Sequence, residues 1–378
     1  MRILFIFGTR PEAIKMAPLV VKMNQNAHIT SAVCVTGQHR EMLDQVLDLF
    51  KITPDYDLNV MKRNQSLSEV TSNILSNLSQ VILEFRPDLV LVHGDTTSTF
   101  TAALSSFYHQ IPVGHVEAGL RTGNIHSPWP EEANRKLVST LTEMHFAPTK
   151  QAMDNLLREN IDKEDILITG NTVIDALFMI KNTIEMDSKL SDELGQKFPF
   201  IEDNKRIVLV TGHRRENLGK GFENICESLK LLAERNKDVN FVYPVHLNPK
   251  VREPVMNLLS GIKNVYLLEP QGYLEFVYLM VNSDIILTDS GGIQEEAPSL
   301  GKPVVVMRDT TERPEAVSAG TVVLVGTDKN KIVNTIDNLL NNKERYIQMS
   351  MAHNPYGDGT ASDKIIQHIV EKLGVKDD

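Results

Sequence analysis

Residues 2–15 read Arg2-Ile3-Leu4-Phe5-Ile6-Phe7-Gly8-Thr9-Arg10-Pro11-Glu12-Ala13-Ile14-Lys15. An unbroken apolar run, with no alternation of polar and apolar residues, suits a strand covered on both faces, as in a parallel sheet layered by helices. Gly8 allows a tight turn, and Pro11 suits the first position of a helix. The stretch predicts a strand, a turn and a helix in immediate succession. Similar short apolar runs recur between longer helical patterns at Ser31–Val35, Asp88–Val92, Val113–Val116, Ile166–Thr169, Ile207–Thr211, Asn240–Tyr243, Asn264–Leu268, Asp284–Thr288 and Pro303–Met307. With the first, these ten runs predict an α/β chain built as a pair of doubly wound sheets.

The chain has 378 residues, more than one core usually serves, which predicts two domains. The strand rhythm pauses at about Asp175–Asn204, a polar helical stretch, and the boundary is expected there or slightly before. The expected division is 1–172, 173–358, and a terminal helix in 359–378 that packs back on the first domain. Composition is ordinary for a globular protein, with 42% hydrophobic and 23% charged residues, and no apolar run approaches the ~20 residues of a membrane span. The first strand is cut short by Gly8–Glu12, too early for a signal peptide. Cys34 and Cys226 form no close motif, so a reducing cytoplasm fits. A formal charge of −10 argues against a nucleic-acid surface, leaving only local basic clusters: Arg10 with Lys15, Arg214 with Arg215, and Arg308 with Arg313.

Open α/β sheets bind ligands beyond the carboxyl ends of their strands, so the residues there are the candidates. Arg10 and Lys15 after the first strand bring positive charge, as anion ligands or as solvated helix cations. Asp289-Ser290-Gly291-Gly292 opens a helix, where bare amides favour an anion, and Glu296 one turn on can accept hydrogen bonds from ribose; a plain Ser cap is the competing reading. Asp95 and Glu117 sit at the ends of apolar strands, where a charge is costly without a partner. Glu131 and Glu132 follow Pro130, and by spacing alone both read as ordinary acids of a first helical turn. His213 beside Arg214 and Arg215 can bind phosphate or donate a proton, or the cluster is a surface patch paired with Glu216. His246 and the run Asp309–Glu315 complete the set. Neither a G-x-G-x-x-G dinucleotide fingerprint nor a G-x-x-x-x-G-K-[ST] loop is present, the histidines lack zinc-ligand spacing, and the reading calls for no cofactor and no metal.

Taken together, six blocks resemble one known family in order along the chain. They are Gly8–Pro18, His93–Thr97, Gly114–Thr122, Pro130–Arg135, Thr211–Asn217 and Asp289–Pro298. The resemblance is to the bacterial non-hydrolysing UDP-N-acetylglucosamine 2-epimerases. It implies two Rossmann-like domains in a glycosyltransferase-B-like fold, an active site in the interdomain cleft, and a homodimer. By position it implies that Arg10, Lys15, His213, Gln271, Phe276, Ser290, Gly291, Gly292, Glu296 and Arg313 hold the nucleotide. The same correspondence makes Asp95, Glu117 and Glu131 catalytic acids, acting with His213. The catalytic acids then belong to the first domain and the UDP site to the second. Some members also bind a second substrate molecule beside the active site. Gln38, Gln65, Glu131, Arg214 and His246 resemble those positions, whereas Glu41 and Asn64 stand where Gln and Arg are typical.

The implied reaction converts UDP-N-acetylglucosamine to UDP-N-acetylmannosamine. The C2 hydrogen is not acidified by a carbonyl, so C1–O cleavage must build positive charge beside it while UDP leaves as a stabilised anion. Two faces of C2 require two proton carriers, which accounts for a cluster of acids. A hydrolysing epimerase, a glycosyltransferase of the same fold, and a silent sugar-nucleotide sensor are the alternatives.

Overall fold

The computed structural model describes residues 1–37, 40–61, 65–201 and 205–374. The chain divides into two compact units, Met1–Ala176 with Tyr356–Asp378, and Leu177–Pro355.

The first unit is built on strands β1 (Arg2–Phe7), β2 (Thr30–Val35), β3 (Tyr56–Asp57), β4 (Leu89–His93), β5 (Val113–Val116), β6 (Met144–Ala147) and β7 (Ile166–Ile168). They pair in parallel in the order β3-β2-β1-β4-β5-β6-β7. Ile3 through Phe7 are all 0% exposed, which is why β1 shows no polar alternation. Full burial of each such side chain contributes roughly 1.5–3 kcal/mol. The strand order reverses between β1 and β4, so the chain splays apart beyond their carboxyl ends and leaves a crevice there.

The second unit repeats the plan with β8 (Arg206–Thr211), β9 (Val239–Pro244), β10 (Val265–Leu268), β11 (Ile285–Thr288), β12 (Val304–Val306) and β13 (Val322–Leu324). The order is β10-β9-β8-β11-β12-β13, again all parallel, with the reversal between β8 and β11. Both units are thus Rossmann-like.

Thirteen strands among the described residues correct the ten read from the sequence. The three additions are β3, two residues long, β6, whose Met-His-Phe-Ala lacks β-branched residues, and β13, three residues long. β3 and β6 take their conformation from the neighbours they pair with, whereas β13, Val-Val-Leu, has the propensity of a strand but is too short to stand out in the sequence.

Helix Thr172–Met186 begins in the first unit and ends in the second. The chain returns to the first unit at Tyr356, whose carbonyl accepts the Asn171 amide at 2.7 Å. The crossing is close: a Cβ on Gly170, which has φ +88°, would lie 3.1 Å from the Gly357 Cα. Terminal helix Ala361–Leu373 packs on helix Arg10–Met23. Its first turn is held by Asp175, which accepts the amides of Ala361 at 3.2 Å and Ser362 at 2.8 Å. Lys22 and Lys372 add ion pairs to Asp363 and Asp165 at 2.7 and 2.6 Å.

Candidate functional site

At the crevice of the first unit the turn after β1 is fixed by Glu12. This carboxylate is 2% exposed. Its Oε2 accepts the amides of Gly8 and Thr9 and the Thr9 hydroxyl, while Oε1 accepts the hydroxyls of Thr96 and Thr99. Glu12 therefore joins the turn after β1 to the turn after β4. Burial pushes its carboxyl up, against the pull of these hydrogen bonds. Sequence reasoning missed this role, because a glutamate at the third helical position is an ordinary capping residue until its partners in a distant loop are seen. Gly8 has no room for a side chain, since a Cβ would stand 1.9 Å from Thr36 Oγ1 and 2.7 Å from Ser98 Oγ.

Glu117, immediately after β5, sits at φ +65°, an uncommon conformation for a residue with a side chain. Its Oε2 receives hydrogen bonds from Lys15 Nζ and from Asn171 Nδ2, the latter at 2.7 Å, and His93 Nε2 lies 3.9 Å away. Lys15 and Glu117, far apart in sequence, are thereby brought together. Arg10, half-buried, has no ion pair or side-chain hydrogen bond among the described residues. Asp95, two residues after β4, is bound through Oδ2 by Arg135, from Nε at 2.9 Å and from the terminal NH2 at 2.6 Å.

The two acids after Pro130 differ sharply. Glu132 is 0% exposed and accepts the amides of Thr122 and Gly123, each at 3.1 Å, and Arg135 NH1 at 3.0 Å. It is an internal anchor. Glu131 has a buried oxygen, Oε2, with no hydrogen-bond partner. A buried acceptor left without a donor is costly and marks a position kept for something other than stability.

In the second unit Asp289 organises the crevice. It is 0% exposed and accepts the amides of His213 at 2.9 Å and Arg214 at 2.8 Å and the side chain of Asn217 at 3.2 Å. The loop after β8 is thus tied to the loop after β11. Neither Asp289 nor Asn217 stood out as a functional residue in the sequence; an aspartate before Ser-Gly-Gly reads as a turn residue. The amides of Gly291 and Gly292 have no protein acceptor among the described residues. A Cβ on Gly291 would lie 2.8 Å from Glu312 Oε1, 3.5 Å from the Arg214 guanidinium and 3.6 Å from that of Arg313. Arg214, Arg308 and Arg313 all reach Glu312, at 3.3, 2.5 and 3.5 Å, and Arg313 also pairs with buried Glu295 at 2.7 Å. Although burial opposes its charge, Glu312 is held below the usual carboxylate range by Arg313 and Arg308. Of the two readings of the 213–215 cluster, the pairing with Glu216 is not what the structure shows: Glu216 binds Arg308 at 2.6 Å, and Arg214 goes to Glu312 at 3.3 Å.

His213 and His246 stack with ring centroids 5.2 Å apart. Burial lowers the His213 imidazole below its ordinary value; Asp289 pulls the other way, and His246 and Arg214 add to the lowering. Glu296 accepts the Tyr273 hydroxyl at 3.1 Å, which ties it to the helix Tyr273–Val281 that carries half-buried Phe276 and follows Gln271. Gln271 Nε2 donates to the Glu269 carbonyl at 2.6 Å. Gln65 is half-buried ahead of helix Leu67–Phe85. Gln38 and Asn64 lie outside the described residues.

The residues read from the sequence therefore gather at two places. Lys15, Asp95, Glu117 and Glu131 stand around the strand reversal of the first unit, and His213, Arg214, His246, Ser290, Gly291, Gly292 and Arg313 around that of the second. Among the described residues no group of three His, Cys, Asp or Glu side chains is placed to hold a metal ion. No helix there is long and apolar enough to cross a membrane.

Residues 21–370 match the family model described as UDP-N-acetylglucosamine 2-epimerase. The chain belongs to the UDP-N-acetylglucosamine 2-epimerase family. It is 59% identical to the UDP-N-acetylglucosamine 2-epimerase of Escherichia coli K12 over 367 residues, 97% of this chain and 98% of that one. The crystal structure of the Neisseria meningitidis UDP-GlcNAc 2-epimerase bound to UDP-GlcNAc superposes with a TM-score of 0.90 at 56% identity, covering 98% of this chain and all of that one (100%). The Methanocaldococcus jannaschii enzyme in complex with UDP-GlcNAc and UDP superposes with a TM-score of 0.79 at 33% identity, covering 98% and 100%. Membership places the chain among the non-hydrolysing isomerases of nucleotide sugars.

Proposed function

We propose that the chain interconverts UDP-N-acetylglucosamine and UDP-N-acetylmannosamine by elimination and re-addition of UDP, with the acids of the first unit and the nucleotide cradle of the second acting on one substrate in a glycosyltransferase-B-like cleft. The carrying observation is the pair of carboxylates, Asp95 and Glu117, each paired with a cation, Arg135 and Lys15, beyond the ends of neighbouring strands. Such charges belong where proton transfer is needed rather than where the fold needs bonds.

In the forward direction the C1–O bond breaks and its electron pair stays on the β-phosphate of UDP. One carboxylate takes the C2 proton, and the freed electron pair forms the C1=C2 bond of 2-acetamidoglucal. Re-addition reverses this: a phosphate oxygen attacks C1, and a second acid delivers a proton to the opposite face of C2. Asp95, Glu117 and Glu131 are the candidate carriers, each general acid or base step being worth roughly 10²–10⁴ in rate. Arg10, Lys15, His213, Arg313 and the amides of Ser290–Gly292 serve to hold the departing diphosphate, and stabilising that anion lowers the barrier to C1–O cleavage. Gln271, Phe276 and Glu296 serve the uridine end. The intermediate must stay bound and shielded from water, because its escape would release 2-acetamidoglucal and UDP, and attack of water at C1 would give free N-acetylmannosamine in place of the nucleotide sugar.

The same reading makes the chain a cytoplasmic homodimer and gives Gln38, Gln65, Arg214 and His246 as candidates for contact with a second substrate molecule. A crystal grown with UDP tests the assignment. The diphosphate is expected against Ser290–Gly292 and Arg313, with the space for the sugar beside Asp95; a diphosphate remote from both Ser290 and Asp95 overturns it.

A further inference from the structure

We infer that Arg135 is a positioning residue for catalysis, fixing Asp95 so that it reacts through Oδ1; this rests on the reading of Asp95 as a proton carrier. Helix Glu131–Leu141 carries Glu131 and Arg135 one turn apart, on the same face. Arg135 donates from Nε to Asp95 Oδ2, its terminal NH2 forms an ion pair with the same oxygen at 2.6 Å, and its remaining terminal nitrogen donates to Glu132 Oε2 at 3.0 Å. No described residue donates to Oδ1. The next residue back, Asn134, clasps the Asp95 main chain, its Nδ2 reaching the carbonyl at 2.8 Å.

One helix therefore holds the Asp95 backbone and carboxylate while presenting Glu131 itself. Its first turn is in turn anchored by fully buried Glu132 on the amides of Thr122 and Gly123. The result is a rigid frame in which two of the three acids keep a fixed relation to each other. Two edge nitrogens of a rigid, planar guanidinium meet Oδ2 together, which fixes where that oxygen sits as well as neutralising it; a lysine ammonium keeps the charge without that fixed two-point geometry. A misplacement of about 1 Å at a reacting group is enough to cost on the order of 10²-fold in rate.

Arg135→Lys separates positioning from charge balance. The expected result is a kcat reduced about 10–100-fold with KM within about threefold of the parent and little change in melting temperature, because the charge is kept and Arg135 pairs with Asp95 and Glu132 rather than with a residue assigned to the nucleotide. Combined with Asp95→Asn, it is expected to slow the enzyme no further than Asp95→Asn alone. Free methylguanidine, supplied to Arg135→Ala, is expected to restore part of the lost kcat, and this holds the claim open to test should the lysine variant fold poorly. An Arg135→Lys enzyme with the parental kcat, a full additive loss in the double variant, or no methylguanidine response in folded Arg135→Ala would each overturn the positioning role. If Asp95→Asn alone keeps the parental kcat, the failure lies instead in the catalytic reading of Asp95, and the inference falls with it.

Discussion

Asp289, a carboxylate without exposed surface, accepts the backbone amide of His213 at 2.9 Å. The bond fixes the main chain from which the imidazole projects, and the same carboxylate receives Arg214 and Asn217. Every donor around it points inward, so an amide NH2 in place of one oxygen faces a donor. Asp289→Asn is expected to cost about 1–3 kcal/mol at the loop. The measurement is UDP affinity by titration calorimetry, with a loss of roughly tenfold or more expected if the loop contributes to the cradle. Unchanged affinity would detach the His213 loop from nucleotide binding.

Glu131 and Glu132 are neighbours with opposite expected behaviour. Glu131→Gln leaves the anchors made by Glu132, Asn134 and Arg135 in place and is expected to lower kcat by roughly 10²–10⁴ with the folded state intact. Glu132→Gln weakens buried, charge-assisted bonds to Thr122, Gly123 and Arg135 and is expected to lower stability by about 3 kcal/mol. Denaturant unfolding beside steady-state kinetics distinguishes the two. A Glu131→Gln enzyme of parental kcat contradicts the assignment.

At Gly8 any side chain collides with Thr36 and Ser98. Gly8→Ala is expected to destabilise the fold by about 1–3 kcal/mol through overpacking, read from the denaturation midpoint at unchanged m-value. A midpoint equal to the parent's would mean that the turn shifts freely.

Stability should depend on pH through three buried histidines. Burial pushes His93 down to about 4, His115 to about 3 and His145 to about 4. In the unfolded chain each titrates near about 6.5. Between that value and about 4 the unfolded state binds protons that the folded state refuses, so stability is full above about pH 6.5 and is lost as pH falls. The slope approaches about 1.4 kcal/mol per pH unit for each histidine. Urea unfolding at pH 7, 6 and 5 is expected to show it, and His145→Gln is expected to flatten the slope by one histidine's share. A flat profile would contradict the burial of these rings in neutral form.

The sequence made the strand-turn-helix units legible because β1 and its counterparts are apolar without interruption, and the residues after them followed from the rule that ligands meet strand ends. It did not reveal β6, whose Met-His-Phe-Ala is held as a strand by β5 and β7, or β13, whose Val-Val-Leu is only three residues long. Nor did spacing separate Glu131 from Glu132, since both satisfy a helix dipole equally; the family resemblance singled out Glu131, and the loop at Thr122–Gly123 shows what Glu132 does instead. Glu12, Asp289 and Arg135 were invisible as organisers for the same reason: each acts across the fold on residues tens of positions away, a relation with no signature in local spacing. The catalytic and nucleotide roles themselves came from the six-block resemblance, which carried more than any one motif's geometry.

Proton exchange at C2 tests the central claim most directly. UDP-N-acetylglucosamine incubated with the protein in D2O and followed by NMR is expected to yield UDP-N-acetylmannosamine, with deuterium at C2 of the epimerised sugar and no build-up of free UDP. Stoichiometric UDP with free N-acetylmannosamine, or epimerisation that retains protium at C2, would contradict the account.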